Sequence, residues 1–230
     1  MVKLLKKQWI MRKVVIATIP CIAGAVYYFG WRSLAVVLVS CVVCFLAEYL
    51  MARVWDEPVT EAVFVTAILF ALVMPPTVPW HVVVIGCVFA IVFGKMVFGG
   101  FGRNFFNPAI SGRCFVYISF PVALTATWAE PASGTWGALG QWTTANAPDA
   151  ITSVTPMAVM KAEGTVPALA DLFFGRISGT MGVTSAMLIL IGGIYLYVTR
   201  TAARETILST IISYAVINQA LTWCGVPAFH

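Results

Sequence analysis

An all-α integral membrane protein, built as a polytopic helical bundle, is the fold class this sequence predicts. Three observations carry the prediction. Hydrophobic residues make up 60% of the 230 positions, charged residues only 10%, and the apolar residues fall in long runs separated by short polar breaks. A soluble domain carries about 25% charged residues. With a mean hydropathy of +0.92, the composition excludes an ordinary soluble domain, a disordered chain and a disulfide-stapled miniprotein.

A helix needs about 20 apolar residues to cross about 30 Å of hydrocarbon. Read in order, the apolar runs predict spans over 14–30, 34–54, 60–75, 80–98, 108–126, 181–199 and 206–224. Each break has a chemical reason. Gly30-Trp31-Arg32-Ser33 makes a tight reversal. Trp55-Asp56-Glu57-Pro58 is polar, and its Pro suits the first turn of the next helix. Pro75-Pro76-Thr77-Val78-Pro79 cannot continue a helix, and Thr199 to Glu205 form a charged turn. The whole of 1–230 reads as a single transmembrane domain: a first helical half (1–126), a long outer loop (127–180) and the start of a second half (181–230).

The basic residues set the orientation. With the N-terminus inside, the inner segments hold Lys3, Lys6, Lys7, Arg12, Lys13, Arg53, Lys95, Arg103, Arg113, Arg200 and Arg204, and the outer ones only Arg32, Lys161 and Arg176. That asymmetry predicts a cytoplasmic N-terminus and an extracytoplasmic 127–180 loop. Trp9, Trp31, Trp55, Trp80 and Trp223 fall near the expected interfaces. Basic residues strung along the chain explain the net charge of +5 without a nucleic-acid partner. No small-residue cleavage site follows the first apolar run, so no signal peptide is expected.

The six cysteines mostly lie inside apolar runs, where Cys serves as a small apolar residue. Neither a disulfide framework nor a metal site is expected, and no catalytic residue stands out. Glu48 is an intramembrane carboxylate, which is costly and therefore a functional candidate. Its plainer reading is a residue near the inner interface that reaches water or pairs with Arg53. His81, after Pro79-Trp80, reads as an interfacial residue.

Two stretches break the membrane pattern. Gly99-Gly100-Phe101-Gly102-Arg103-Asn104-Phe105-Phe106-Asn107-Pro108 combines three glycines, two amides and a proline. Gly permits close backbone approach. Asn104 and Asn107 offer donors and acceptors to a heterocycle edge, and Arg103 supplies positive charge. The alternative is a loop whose amides cap the next helix. The second stretch is Pro148 to Pro156 in the outer loop. Thr155-Pro156 reads as an N-cap and a first-turn Pro opening a short helix near 156–163, either a natural phosphate position or an ordinary capped surface helix.

The run from Glu61 to Pro121, E-A-V-F-V-T-A-I-L-F-A-L-V-M-P-P followed by G-K-M-V-F-G-G-F-G-R-N-F-F-N-P-A-I-S-G-R, resembles the NqrB and RnfD family. Its members are the B component of the sodium-translocating NADH:quinone reductase and the D component of the Rnf electron-transport complex. The resemblance extends from about residue 34 onward. It implies a ten-span fold of two similar halves, of which this sequence shows seven spans, so an incomplete copy is expected. In that family a D-G-x-S-G-A-T motif carries FMN through a phosphoester on its last Thr. Here Asp149 and Thr155 match, Thr152 replaces Ser, and Ala150, Ser153 and Val154 differ. The resemblance thus implies covalent FMN on Thr155 and a non-covalent riboflavin near Asn104 and Asn107. It also implies a nearby quinone, with Cys44 and Phe45 where relatives often carry a Gly pair, and Glu48 at an acidic position of the reductase branch.

The function this implies is a membrane electron-transfer subunit, not catalytic alone, in an ion-translocating NADH:quinone or ferredoxin:NAD oxidoreductase of the bacterial inner membrane. Electrons would pass toward quinone or a partner subunit, coupled to Na⁺ or H⁺ transport. Expected partners are a second FMN-carrying subunit, an NADH-oxidising or iron–sulfur subunit, and a flavin transferase. The alternative is a small-solute transporter or channel on the same scaffold.

Overall fold

The computed structural model describes residues 5–125, 128–132, 134–143 and 168–223. Helix α1 (Trp9–Phe29) and helix α2 (Trp31–Val54) run antiparallel about a turn at Gly30, and both are long and apolar enough to cross a membrane. A short strand β1 (Leu5–Lys6) precedes α1 and pairs in parallel with β2 (Val59–Thr60), which comes after α2. Then come α3 (Ala62–Leu72), α4 (Trp80–Ile91) continued by a π-helical turn Val92–Met96, and α5 (Pro108–Ser119). Short helices α6 (Pro121–Thr125) and α7 (Leu169–Phe174) precede α8 (Ala186–Val198) and α9 (Arg204–Trp223).

The predicted apolar runs recur as helices, with differences at their ends: the run 108–126 breaks at Phe120-Pro121 into α5 and α6, and the run 181–199 is helical only from Ala186. α1 starts at Trp9, so Arg12 and Lys13 lie within its first turns rather than before it. α3 is shorter than the run 60–75, because Val59–Thr60 is extended against β1 and Pro75-Pro76 cannot continue the helix. Its 11 residues rise only about 16 Å, roughly half the hydrocarbon thickness.

A helix that is apolar all round must be surrounded. α3 is such a helix. Val63, Ala67, Phe70 and Ala71 are completely shielded, and α1, α2, α4 and α5 enclose it. Beside it α4 and α5 cross closely at Gly86 and Gly112. A Cβ on Gly86 would lie 2.4 Å from the Phe70 ring and 2.6 Å from Val116, and one on Gly112 2.7 Å from Ala90. Small residues at helix crossings are how membrane bundles gain packing, since lipid gives helices no hydrophobic reason to associate.

The two ends of the bundle are tied differently. At the end opposite the N-terminus, the Trp31 and Arg32 amides donate to the Gln141 and Trp142 carbonyls. The Arg32 guanidinium donates to the carbonyls of Thr77 and Val78 at 3.1 and 2.8 Å. The Tyr28 hydroxyl donates to the Phe174 carbonyl. At the N-terminal end, Glu61 ties down the N-terminal strap, the segment from β1 into the first turn of α1: its carboxylate accepts from the Gln8 amide at 2.6 Å and from Arg12 Nη2 at 2.5 Å. α8 packs on α1, whereas α9 has no buried residue.

Candidate functional site: a buried charge pair beside an amide-lined pocket

Glu48 and Lys95 form an ion pair deep in the bundle. Lys95 Nζ lies 2.5 Å from Glu48 Oε2, and each side chain is only 2% exposed. Thr60 closes the group. Its backbone N–H and hydroxyl donate to Glu48 Oε1 at 2.9 and 2.7 Å, and Lys95 Nζ donates to the same hydroxyl oxygen at 2.8 Å. Burying a charge is tolerable only when it is paired and hydrogen-bonded, and this triad meets both conditions.

Three separate elements deliver these groups. Glu48 comes from the buried face of α2, which also carries Ser33, Val36, Ser40 and Cys44. Thr60 comes from β2, held in place by the N-terminal strap. Lys95 comes from the π turn, where the Val97 amide bonds five residues back to the Val92 carbonyl at 2.9 Å. Such turns widen a helix by one residue and re-aim the side chains beyond it. Here Lys95 and Met96 face inward while Phe93 and Val97 are each 57% exposed.

The sequence offers Arg53 as the partner of Glu48. The structure gives the pair to Lys95 instead, and Arg53 stacks over the Tyr49 ring at 5.2 Å. Lys95 and Thr60 are the residues that sequence reasoning missed. The signal is present: Lys95 is the one charged residue inside the apolar run 80–98, but the inside-positive pattern accounts for it equally well.

The Gly/Asn-rich loop lies next to this group. Gly99, Gly100 and Gly102 take φ of 97°, 85° and 88°, values that only glycine adopts freely, and they fold the chain back beside α4. A pocket of about 340 Å³ opens here, lined by Met11, Ala62, Val65, Thr66, Leu69, Lys95, Phe101, Asn104, Phe105, Phe106, Asn107 and Pro108. Its size falls within the usual range for small-molecule sites.

Each amide has one end committed to the protein. Asn107 caps α5, its Oδ1 accepting from the Ala109 amide at 3.0 Å with Pro108 in the first turn. That is the capping role the sequence allows for. Asn104 Nδ2 donates to the Phe106 carbonyl at 2.8 Å. Among the described residues this leaves Asn107 Nδ2 as a free donor and Asn104 Oδ1 as a free acceptor. On the far side of Phe106 and Asn107 a second, more apolar groove of about 540 Å³ runs along α4 and α5. Phe89 and Phe115 stack there at 3.9 Å.

The remaining candidates separate. Arg103 is exposed, packs over Gly99 and does not line the pocket. Cys44 is fully buried one turn from Glu48, and Cys87 of the neighbouring α4 is fully buried too. Phe45 stacks between Tyr49 and Phe64, each centroid 6.2 Å away. His81 meets the Phe120 ring edge-on at 5.9 Å. Asp149, Thr152, Thr155 and the helix expected near 156–163 lie outside the described residues.

Fold and site together define a polytopic helical membrane protein with a charge pair in its interior and a ligand-sized pocket at the N-terminal end of the bundle. Comparison with known sequences gives the particular family: residues 4–230 match the NQR2, RnfD, RnfE family, and the chain belongs to it. It is 36% identical over 194 residues to the D component of the Na⁺-translocating ferredoxin:NAD⁺ oxidoreductase complex of Acetobacterium woodii, covering 81% of this chain and 56% of that protein. It is 33% identical over 207 residues to the B component of the Na⁺-translocating NADH-quinone reductase of Azotobacter vinelandii, covering 89% and 47%. With the D component of the ion-translocating oxidoreductase complex of Shewanella amazonensis it shares 31% over 216 residues, covering 84% and 62%. The chain spans about half the length of the curated relatives it matches.

Proposed function

We propose that this chain is a flavin-carrying electron-transfer subunit of an ion-translocating oxidoreductase complex in the bacterial cytoplasmic membrane. The observation that carries the reading is the pocket at Asn104 and Asn107 in a chain whose relatives are subunits of such complexes. The pocket suits a planar heterocycle. Its walls are mostly apolar, and Asn107 Nδ2 and Asn104 Oδ1 supply one free donor and one free acceptor for a polar ring edge. A bound riboflavin would supply the one- and two-electron chemistry. This chain's own residues would bind it, orient it and shield it from water.

Thr155 is the attachment residue for covalent FMN in this reading, with Asp149 and Thr152 serving recognition by the transferase. The N-terminus is cytoplasmic and the 127–180 loop extracytoplasmic, so the two flavins stand on opposite sides of the bundle. Arg103, on the inner surface, favours an anionic partner or headgroup. A quinone would lie against the α2 segment holding Cys44 and Phe45, with Glu48 serving the coupled movement of Na⁺ or H⁺. NADH or ferredoxin would be oxidised on a partner subunit carrying iron–sulfur or flavin centres.

One observation favours a second reading, a small-solute transporter. The half-length α3 beside a buried ion pair resembles the interrupted helices that surround transporter sites. Flavin content decides between them. The chain is co-expressed with a flavin transferase, purified, denatured and run on a gel. Flavin absorbance of the native chain, or in-gel fluorescence after denaturation, supports the electron-transfer subunit; a chain colourless before denaturation and non-fluorescent after it supports the transporter.

A further inference from the structure

The pocket and the ion pair share one residue. Of the twelve side chains that line the pocket, Lys95 alone is ionisable. Its counter-charge, Glu48, is not among them and lies behind it at 2.5 Å. The pair is therefore a buried dipole, and Lys95 is the one of its two residues that lines the pocket. Thr60 fixes both ends, donating to the carboxylate and accepting from the ammonium. Met11, Ala62, Val65 and Leu69 make the wall beside Lys95 largely apolar, and in low-dielectric surroundings a nearby charge is felt more strongly than in water.

We infer that Lys95 is the charge-compensating positioning residue of the Asn104–Asn107 pocket, and that Glu48 and Thr60 hold its ammonium ready for negative charge arriving on the pocket's ligand. The inference rests on the reading of the pocket as a flavin site. When an oxidised ring there takes one electron from a reduced flavin or iron–sulfur centre of a partner subunit, the donor loses that electron and the ring gains one negative charge. No bond forms or breaks at Lys95. The ammonium is already present, so its positive charge faces the new negative charge without a proton having to enter first. A neutral side chain at 95 would leave Glu48 as the nearest charge, with the opposite effect. The same pair thus stabilises the reduced ligand and keeps the resting interior neutral.

The test uses the purified complex and measures the midpoint potential of its extractable, non-covalent flavin, with covalent FMN as the internal control. Wild type is compared with Glu48→Gln, Lys95→Gln, Lys95→Arg and the double variant Glu48→Gln/Lys95→Gln. The expected order of potentials, highest first, is Glu48→Gln, wild type, the double variant, then Lys95→Gln. Lys95→Arg stays near wild type and the FMN potential does not move. The double variant removes both charges and keeps hydrogen-bonding groups, so it still reports if either single variant misfolds. A merely structural pair would not shift the two single variants in opposite directions. If wild type and the double variant share one potential while flavin is present, the inference is overturned and the flavin reading stands. If wild type holds no extractable flavin, the pocket reading fails and the inference falls with it.

Discussion

Lys95 Nζ sits 2.5 Å from Glu48 Oε2 with 2% of either side chain exposed, although 47 residues separate them in sequence. Removing one partner of a buried pair leaves an uncompensated charge, a loss of about 3–5 kcal/mol, whereas replacing both with apolar groups is often nearly neutral. Glu48→Leu and Lys95→Met should therefore each lower the unfolding temperature in detergent substantially. The double variant should lose less than either. Thermal unfolding followed by tryptophan fluorescence checks this, and additive losses would show that the two charges do not stabilise one another.

The helices were legible in the sequence because a membrane imposes one simple rule: every backbone polar group must be satisfied within the segment, so long apolar runs become helices; two of them, α1 and α2, are long enough to span by themselves. The site was less legible, for reasons that particular residues show. Arg53 lies close to Glu48 in the chain and invites a local pairing. The true partner arrives by tertiary packing on a π turn that no apolar pattern announces. Asn107 reads from sequence both as a cap and as a ligand group, and the structure shows how one amide can serve both, with Oδ1 on the helix and Nδ2 uncommitted. Arg12 and Lys13 hide the early start of α1. Arg12 has its reason in Glu61, across the N-terminal strap.

That division of Asn107 can be separated experimentally. Asn107→Asp keeps the Oδ1 acceptor that caps α5 and loses the Nδ2 donor. Asn107→Ala loses both, and the missing cap alone costs about 0.5–2 kcal/mol. Asp should retain stability close to wild type while lowering extractable riboflavin, and Ala should lower both. Replacing Asn104 and Asn107 together with Leu should remove riboflavin and spare covalent FMN. Unchanged riboflavin in that double variant would return both amides to capping and packing.

The α4–α5 crossing gives a packing prediction with no cofactor involved. A methyl group on Gly86 would enter the space of Phe70 and Val116. Overpacking of this kind costs about 1–3 kcal/mol. Gly86→Ala should therefore lower the unfolding temperature, and adding Phe70→Leu should recover part of the loss by shortening the obstructing ring. Gly193→Ala, at a position in α8 where an added methyl would meet open space, should cost no stability and gain up to about 1 kcal/mol of helix propensity, and serves as the control.

Topology rests on the unequal basic residues at the two ends. A Cys introduced at Ser133 in a Cys-free background should react with an impermeant thiol reagent on intact cells, after outer-membrane permeabilisation where the host has one. A Cys at Thr201, in the turn between α8 and α9, should react only after lysis. The reverse pattern would invert the bundle and place the 127–180 loop in the cytoplasm.

Thr155 carries the most specific chemical expectation. The family motif ends on a hydroxyl, and within Asp149 to Thr155 only Thr152, Ser153 and Thr155 offer one. An alcohol is a weak nucleophile unless activated, so the proposed attachment would need a separate transferase to deprotonate it. The threonine oxygen would then attack the FMN phosphorus of FAD, forming a phosphoester to the protein as the pyrophosphate bond breaks and AMP leaves. The acceptor therefore needs exposure and a recognisable backbone more than catalytic neighbours. Pro156 suits the first turn of the helix that the sequence leads one to expect there, and the dipole of such a helix would favour the phosphate by roughly 0.3–1 kcal/mol. Asp149, six residues upstream, would serve recognition by the transferase. Thr155→Ala should abolish covalent FMN on co-expression, and Thr152→Ala should only reduce it. Mass spectrometry should find the adduct on the tryptic fragment ending at Lys161. An unmodified fragment in wild type, or a modified one in Thr155→Ala, would move the attachment away from this residue.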